Sequence, residues 1–211
     1  MKRMIKYILL ISFVAAFFTS CDEDSTTDVS RVTFYPEFEM TGDQYYFIDM
    51  GSTYEEPGIA AYSGEDELDV TISGSVNTDS SAVYTISYTA VNSDGYKKTV
   101  NRYVIVKQGD LTATNFPTGN FAGGYYGDGT MTVTQTKPGI YECTDIFGYG
   151  APYPTPGKYI DRGNGNMTVM ETSSPFGGTL RSTGVYNATT IQYLYGISGY
   201  GYIFPVTWVK Q

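Results

Sequence analysis

The stretch 147–159 concentrates side chains that could recognise a ligand. It contains three prolines, three glycines and four aromatic residues, a composition that predicts a long loop, and loops carry binding functions on rigid scaffolds. Aromatic faces can stack on the C–H groups of sugars, while carboxylates accept hydrogen bonds from sugar hydroxyls. The predicted platform comprises Tyr149, Tyr153 and Tyr159 with Asp145 and Asp161, and further candidates are Trp208 and the pair Tyr200 and Tyr202.

The absence of histidine limits the catalytic chemistry available to this chain. Ser-His-Asp and Cys-His mechanisms need an imidazole as proton carrier, and a glycosidase needs two carboxylates roughly 5–10 Å apart. No spacing of acids identifies such a pair. Glu55, Glu56 and Asp94 belong to turn sequences and lack the spacing of calcium ligands. We therefore predict no catalytic residue, metal site or cofactor, and expect that the protein is not an enzyme.

The N-terminus carries a secretory signal. Three basic residues precede an apolar run over 7–18, and small residues then lead to Cys21, the order typical of a signal peptide. The run is shorter than the roughly 20 residues that span a bilayer as a helix. The pattern resembles bacterial lipoproteins, although Phe18 stands where leucine is commoner. This resemblance implies a signal peptide over 1–20, lipidation of Cys21 and no transmembrane segment in the mature chain.

An acidic tether over 21–29 begins at the cysteine that we expect to be lipidated. Asp22, Glu23 and Asp24 resemble the surface-export signal of Bacteroidota lipoproteins, which implies an outer-membrane protein, lipid-anchored and facing the cell exterior. The same residues also suit a plain soluble tether, because a short polar segment has no apolar surface to bury.

Charge and cysteine content narrow the partners further. Removing residues 1–20 removes three bases and no acids, which leaves 10 basic against 22 acidic side chains. This balance disfavours nucleic acid and anionic headgroups as partners, so we expect membrane contact through the N-terminal lipid only. With Cys21 acylated, Cys143 has no partner for a disulfide and is expected to be a buried thiol.

The mature chain is predicted to be all-β, because tyrosine, threonine and valine favour strands and the many glycines mark turns. A first module over 30–108 contains short strands at regular intervals, among them 32–35, 44–48, 68–74, 83–90 and 98–106. In the strand 83–90, Tyr84, Ile86 and Tyr88 share one face. This spacing favours a sandwich.

A motif in the first module has a specific resemblance. Residues 51–61, GSTYEEPGIAA, resemble the G-x-x-Y-x-E-P-G-V-x-A signature of immunoglobulin-like repeats on bacterial surface proteins, and the later segments agree in order. Two departures, Val83 for a glycine and the missing Asp after Ala61, concern local turns. The resemblance implies an immunoglobulin-like β-sandwich of the spacer or adhesion type, and such a fold does not define a function.

The second module, over 110–211, is rich in glycine and tyrosine and contains repeated turn signals. Its candidate strands are 130–135, 140–144, 166–172, 182–187, 190–195 and 202–208. They predict an antiparallel meander that forms a small sandwich or barrel. The tandem resembles uncharacterised two-domain lipoproteins of gut Bacteroidota, often associated with polysaccharide-utilisation systems, which implies a polysaccharide ligand and an outer-membrane transporter complex as partners.

Two non-catalytic functions remain open at the sequence level. One is glycan capture through the loop 147–159. The other is a structural spacer or adhesin that binds proteins, in which case the tyrosines pack on the sheet and only their hydroxyls reach solvent.

Overall fold

The computed structural model describes residues 32–111, 116–150 and 152–211, and the regular structure in these ranges is β-sheet. No α-helix occurs in the described ranges, and none of their segments is a helix long and apolar enough to cross a membrane. Cys21 and the acidic residues Asp22, Glu23 and Asp24 lie outside the described residues. The prediction of an all-β chain is confirmed for the described part.

Seventeen strands follow one another within the described ranges. In order they are β1 (Glu37–Met40), β2 (Tyr45–Asp49), β3 (Ile59–Ser63), β4 (Asp66–Glu67), β5 (Thr71–Ser73), β6 (Val83–Val91), β7 (Lys97–Lys107), β8 (Gly119–Gly124), β9 (Gly129–Lys137), β10 (Ile140–Cys143), β11 (Gly157–Gly163), β12 (Asn166–Val169), β13 (Ser173–Ser174), β14 (Gly177–Gly178), β15 (Ser182–Tyr186), β16 (Thr190–Gly196) and β17 (Ile203–Lys210). The strand predicted at 32–35 is absent, and β1 begins only after Pro36.

The first seven strands form two sheets that pack as a sandwich. One sheet has the order β1-β3-β4 and the other β2-β7-β6-β5, with β2 parallel to β7. Alternating side chains of β6 and β7 point into the core, where Ile86, Tyr88 and Val104 are buried. The predicted shared face of Tyr84, Ile86 and Tyr88 packs into this cluster. The predicted immunoglobulin-like sandwich is confirmed.

A buried ion pair lies inside the sandwich. Arg102 of β7 is fully buried, and its Nε lies 3.1 Å from Oε1 of Glu56, from the Glu-Pro-Gly turn. The same Nε donates to the hydroxyl of Tyr88 at 3.1 Å. Its Nη1 donates to the carbonyl oxygen of Asp43, and its Nη2 donates to those of Thr41 and Gly58. Glu56 is therefore the counterion of a buried cation as well as a turn residue.

The second module contains a closed antiparallel barrel. Its eight strands have the order β10-β11-β12-β15-β16-β17-β8-β9, and β13 and β14 form a separate small hairpin. The sequence predicted the barrel as one of two alternatives but missed β8 and β11, because glycine-rich strands lack the usual pattern of β-branched residues. Inward-facing residues alternate along the strands, and the core includes Phe121, Tyr193 and Trp208.

Cys143 at the end of β10 lies in the barrel core as a free thiol. Burial raises the pKa of this thiol to about 12, so the thiolate is not populated near neutral pH. The prediction of a buried thiol is confirmed.

The sandwich and the barrel meet through a shared apolar cluster. Buried Ile105 of β7 packs with three barrel residues, Ile140, Ile160 and Met170. Polar contacts flank this cluster. The Tyr103 hydroxyl donates to Oε1 of Glu171 at 3.3 Å. The backbone amide of Gln108 donates to the backbone carbonyl of Arg162 at 2.8 Å. The backbone there is so close that a Cβ on Gly163 would lie 1.7 Å from the carbonyl oxygen of Gln108.

Replacing the Arg102 counterion should destabilise the fold strongly. Glu56→Gln leaves a buried guanidinium without its charge partner, and such losses cost about 3 kcal/mol of unfolding free energy. Urea unfolding at pH 7 measures this cost. Glu55→Gln, at the exposed neighbouring carboxylate, is the matched control and should change stability by less than about 0.5 kcal/mol.

The same pair should make stability depend on pH. Burial alone would raise the pKa of Glu56, but hydrogen bonds from Tyr54, Tyr88 and the Gly58 amide, with the Arg102 charge, lower this pKa below its usual range. A lowered folded-state pKa stabilises above the unfolded pKa of about 4.3 and loses that stability as pH falls through the folded-state value. The stability difference between wild type and Glu56→Gln should therefore shrink as pH falls from 5 towards 2. A difference that stays constant over this range would contradict the assignment.

Candidate functional site

Aromatic side chains from four segments converge on one surface of the second module. We name this surface the aromatic platform. Its members come from the β8–β9 loop, the β10–β11 loop, the β13–β14 turn and the start of β17. They are Tyr125, Tyr126, Tyr149, Tyr153, Phe176, Tyr202 and Phe204.

The rings of the aromatic platform form a continuous series of contacts. Successive centroid distances, from Tyr202 through Phe204, Tyr125, Tyr126, Tyr149 and Phe176 to Tyr153, are 6.4, 4.9, 4.9, 5.6, 4.7 and 5.8 Å. These are distances at which aromatic pairs attract. Tyr126, Tyr153 and Tyr202 are 62%, 51% and 68% exposed, so the series presents wide ring faces to solvent.

A buried ring supports the aromatic platform from below. Phe147 is fully buried, and its centroid lies 4.1 Å from that of Tyr149 and 5.1 Å from that of Tyr125. Beneath it, Tyr195 of β16 is 4.4 Å away. The exposed rings thus rest on the barrel core, which reduces the conformational entropy they would lose on binding.

Asp145 organises the loop that carries Tyr149. Its buried Oδ1 accepts hydrogen bonds from the backbone amides of Phe147 and Gly148 at 3.0 Å and of Thr155 at 3.4 Å. These bonds satisfy amides that would otherwise be unpaired inside the protein. Asp145 is therefore a structural residue of the β10–β11 loop.

The loops that bear the aromatic platform cross over Trp208. A Cβ on Gly148 would lie 2.7 Å from the Cα of Gly124 and 3.3 Å from Cη2 of Trp208. Both glycines have positive φ, +90° and +86°, a region that favours glycine. Only glycine at both positions allows the two backbones to approach this closely.

The structure corrects four members of the predicted platform. Tyr159, Asp161 and Trp208 have no exposed surface and Asp145 is 3% exposed, so none of them lies on an accessible face. The tyrosine and tryptophan point into the barrel because inward and outward positions alternate along β11 and β17. The predicted loop also ends earlier than expected, since β11 begins at Gly157.

Tyr159 and Trp208 instead belong to a buried hydrogen-bond network. Trp208 Nε1 donates to the hydroxyl of Tyr193 at 3.0 Å, and the hydroxyls of Tyr159 and Tyr193 lie 3.0 Å apart. Tyr193 donates in turn to the carbonyl of Ile146. Burial raises the pKa of Tyr159 and of Tyr193 well above the usual value for a phenol, so both side chains remain neutral hydrogen-bond donors.

Asp161 also serves the fold. Its Oδ1 accepts hydrogen bonds from the Gly163 amide at 2.7 Å and from the hydroxyl of Tyr186 at 2.8 Å. These bonds shape the end of the β11 strand before the tight turn at Asn164. Tyr149 and Tyr153 are the members of the predicted platform that lie on the observed one.

Most residues of the aromatic platform were missed by the sequence analysis. Tyr125, Tyr126, Phe176 and Phe204 lie in three other segments, and no local pattern shows that these segments converge. The available signal was the Gly-Gly-Tyr-Tyr run at 123–126, where glycines that permit close packing precede two aromatic residues. Tyr200, also predicted, is exposed but no ring contact to it is observed among the described residues.

The described residues contain no group of three or more acidic or cysteine side chains placed to hold a metal ion. The pKa of Tyr149 is raised by partial burial and then by neighbouring tyrosines, so its phenol stays protonated at neutral pH. The exposed Asp128 lies two residues after Tyr126 in the β8–β9 loop. The surface therefore offers ring faces for stacking and phenol hydroxyls for hydrogen bonds. The β8–β9 loop adds the exposed carboxylate of Asp128.

Taken together, the fold is an immunoglobulin-like sandwich joined to a closed eight-stranded barrel. Residues 38–106 match the model of the bacterial surface protein Ig-like domain family, in the part of the chain where the motif at 51–61 predicted this resemblance. The lipoprotein BT2262 from Bacteroides thetaiotaomicron is similar, with 23% sequence identity, a TM-score of 0.40 and coverage of 84% of this chain and 100% of that chain. No curated protein matches the chain.

The crossing of the two glycine loops can be tested by substitution. Gly148→Ala should destabilise the protein by about 2–4 kcal/mol, because a Cβ there meets backbone and the φ is unfavourable. Gly150→Ala is the matched control, since Gly150 has a similar φ of +81° but nothing within 4 Å of the added Cβ. Its expected cost is about 1 kcal/mol. Urea unfolding measures both, and equal costs would show that the close approach is unimportant.

Proposed function

We propose that the protein is a lipid-anchored protein of the outer membrane, facing the cell exterior, that binds carbohydrate without catalysis at the aromatic platform. The observation that carries this proposal is the exposed series of ring contacts on a rigid base. The match of residues 38–106 to a family of bacterial surface domains supports the location.

The chemistry of the aromatic platform suits a neutral sugar chain. Large exposed apolar patches are unusual on soluble proteins and mark binding surfaces. Ring faces can stack on the C–H faces of pyranose rings, while the phenol hydroxyls and Asp128 offer donors and acceptors for hydroxyl groups. An extended array of rings favours an extended ligand, so a polysaccharide fits better than a monosaccharide.

Non-catalytic binding is favoured by the roles of the acids near the platform. Asp145 uses its Oδ1 for three backbone amides, and it is buried beneath the loop. A hydrolytic mechanism needs a second accessible carboxylate across a cleft, and the rings form a surface in place of a cleft. A polysaccharide-utilisation system, with an outer-membrane transporter as partner, is the setting that we propose for such binding.

The alternative function is a structural spacer or adhesin that binds proteins. The match of residues 38–106 to a surface Ig-like family favours it, because such domains commonly act as spacers. Aromatic residues are also enriched at protein interfaces. Binding of a purified polysaccharide by the isolated protein separates the two functions.

Glycan binding can be tested on the chain from Ser25 to Gln211, which contains every described residue. Affinity electrophoresis against plant, host and microbial polysaccharides should show retardation by at least one of them. The double change Tyr126→Ala/Tyr153→Ala should weaken that binding by roughly tenfold to a hundredfold, because each stacked ring contributes about 1 kcal/mol. Both side chains are largely exposed, so the fold should survive.

Tyr96→Ala is the matched control, since Tyr96 is an exposed tyrosine of the first module, 45% accessible. This variant should bind as wild type does. Binding that the double variant retains would place the carbohydrate site elsewhere, and no binding to any polysaccharide would favour the spacer or adhesin function.

The anchor requires its own test. Cys21→Ser removes the thiol that accepts the lipid, so the protein should leave the membrane fraction, whereas wild type should remain there because more than one acyl chain anchors stably. Replacing Asp22, Glu23 and Asp24 by alanine should keep the protein in membranes but remove it from the cell surface. Protease shaving of intact cells reads out the second effect, and unchanged accessibility would rule out the export signal.

A further inference from the structure

A cavity of about 420 Å³ lies on the outside of the barrel, where β6 of the sandwich meets β15–β17. This volume falls within the range of roughly 300–1,000 Å³ that small-molecule sites occupy. Five apolar side chains line it: Ala82, Val83, Leu180, Leu194 and Ile203. The last three are exposed, so the cavity has an apolar wall that is open to solvent.

Arg162 of β11 lines the same cavity and is 7% exposed. Its Nη1 donates to the carbonyl of Ser81 and its Nη2 to that of Met167 at 3.1 Å. Its Nε, which is shielded from solvent, has no hydrogen-bond partner among the described residues, and neither does the buried Oγ of Ser81. The guanidinium is thus held by carbonyl dipoles with part of its donor capacity unused.

Among the described residues, no carboxylate forms an ion pair with Arg162 within 4 Å, and the carboxylate that acts on its charge is that of the neighbouring Asp161. Arg181, which also lines the cavity, has a carboxylate partner within hydrogen-bond distance. It makes two hydrogen bonds to Glu171, at 2.7 and 2.8 Å. Burial lowers the pKa of Arg162 more than the neighbouring Asp161 carboxylate raises it, so the cost of burying this cation is only partly offset. An anion at this cavity would offset that cost.

We propose that this cavity binds a small organic carboxylate with an apolar body. The carboxylate lies over the guanidinium of Arg162, and the apolar body lies along Leu194 and Ile203. Charge complementarity selects the anionic head, since the cavity presents a cation whose charge is only partly offset, in a chain whose formal net charge is −9. The site is separate from the aromatic platform and does not depend on carbohydrate binding.

Decanoate and decanol are matched probes, because they share chain length and differ in charge at pH 7. Isothermal titration calorimetry with the chain from Ser25 to Gln211 should show saturable one-site binding of decanoate. Decanol should bind at least about tenfold more weakly, a difference of roughly 1.4 kcal/mol. Raising salt should weaken decanoate binding and leave decanol unchanged. Equal binding of the two probes, or no binding of either, would overturn the proposal.

Leu194→Asp tests the location without touching a buried residue. It replaces an exposed apolar residue of the cavity wall by a carboxylate, which repels the negative charge of decanoate. Decanoate binding should therefore weaken by at least about tenfold. Val209→Ser, an exposed change on β17 that lies outside the cavity lining, should leave it unchanged. Arg162→Lys keeps the charge and should retain more binding than Arg162→Gln. If either arginine variant unfolds, the Leu194→Asp variant still tests whether decanoate binds at this cavity. Unchanged decanoate binding by Leu194→Asp would refute this site.

The double change Tyr126→Ala/Tyr153→Ala separates the two sites. It should leave decanoate binding as in wild type. Loss of decanoate binding in that variant would place the probe on the aromatic platform and would contradict the assignment to Arg162.

Discussion

Two backbone segments approach each other at Gly124 and Gly148 to a separation that no side chain permits. The β8–β9 loop and the β10–β11 loop converge because of this contact, and Trp208 closes the space beneath them. Phe147 is then placed under the exposed tyrosines, and the Asp145 carboxylate fixes the amides that follow it. The ordered ring surface is thus a consequence of backbone packing more than of the aromatic residues themselves.

Two buried arginines show how differently this fold treats positive charge. Arg102 has a carboxylate at 3.1 Å and carbonyl acceptors on its remaining nitrogens, so its charge is neutralised within the sandwich. Arg162 donates to carbonyl oxygens, and the neighbouring Asp161 carboxylate offsets its charge only in part. A stable protein can keep such a group because the dipoles offset part of the desolvation cost. The remaining imbalance is what makes the neighbouring cavity selective for charge.

The sequence predicted the fold class well and the aromatic platform poorly, for different physical reasons. Period-two alternation in 83–90 and the motif at 51–61 are local signals, so the sandwich was recognised. The strand β11 was missed because the glycine and proline residues around its start obscured the pattern. Tyr159 and Trp208 were assigned to the surface because a single sequence does not show which face of a barrel strand is inward. Tyr125 and Phe204 meet only through barrel closure, which is a long-range property.

The junction between the sandwich and the barrel makes each of them unsuited to exist without the other. Ile105 on one side and Ile140, Ile160 and Met170 on the other are buried by each other, and the backbone of Gly163 touches that of Gln108. A gene fragment encoding either half alone would leave its share of this apolar surface bare to water and open to self-association. The sandwich and the barrel are therefore expected to be inherited and exchanged as one unit, and not as independent domains.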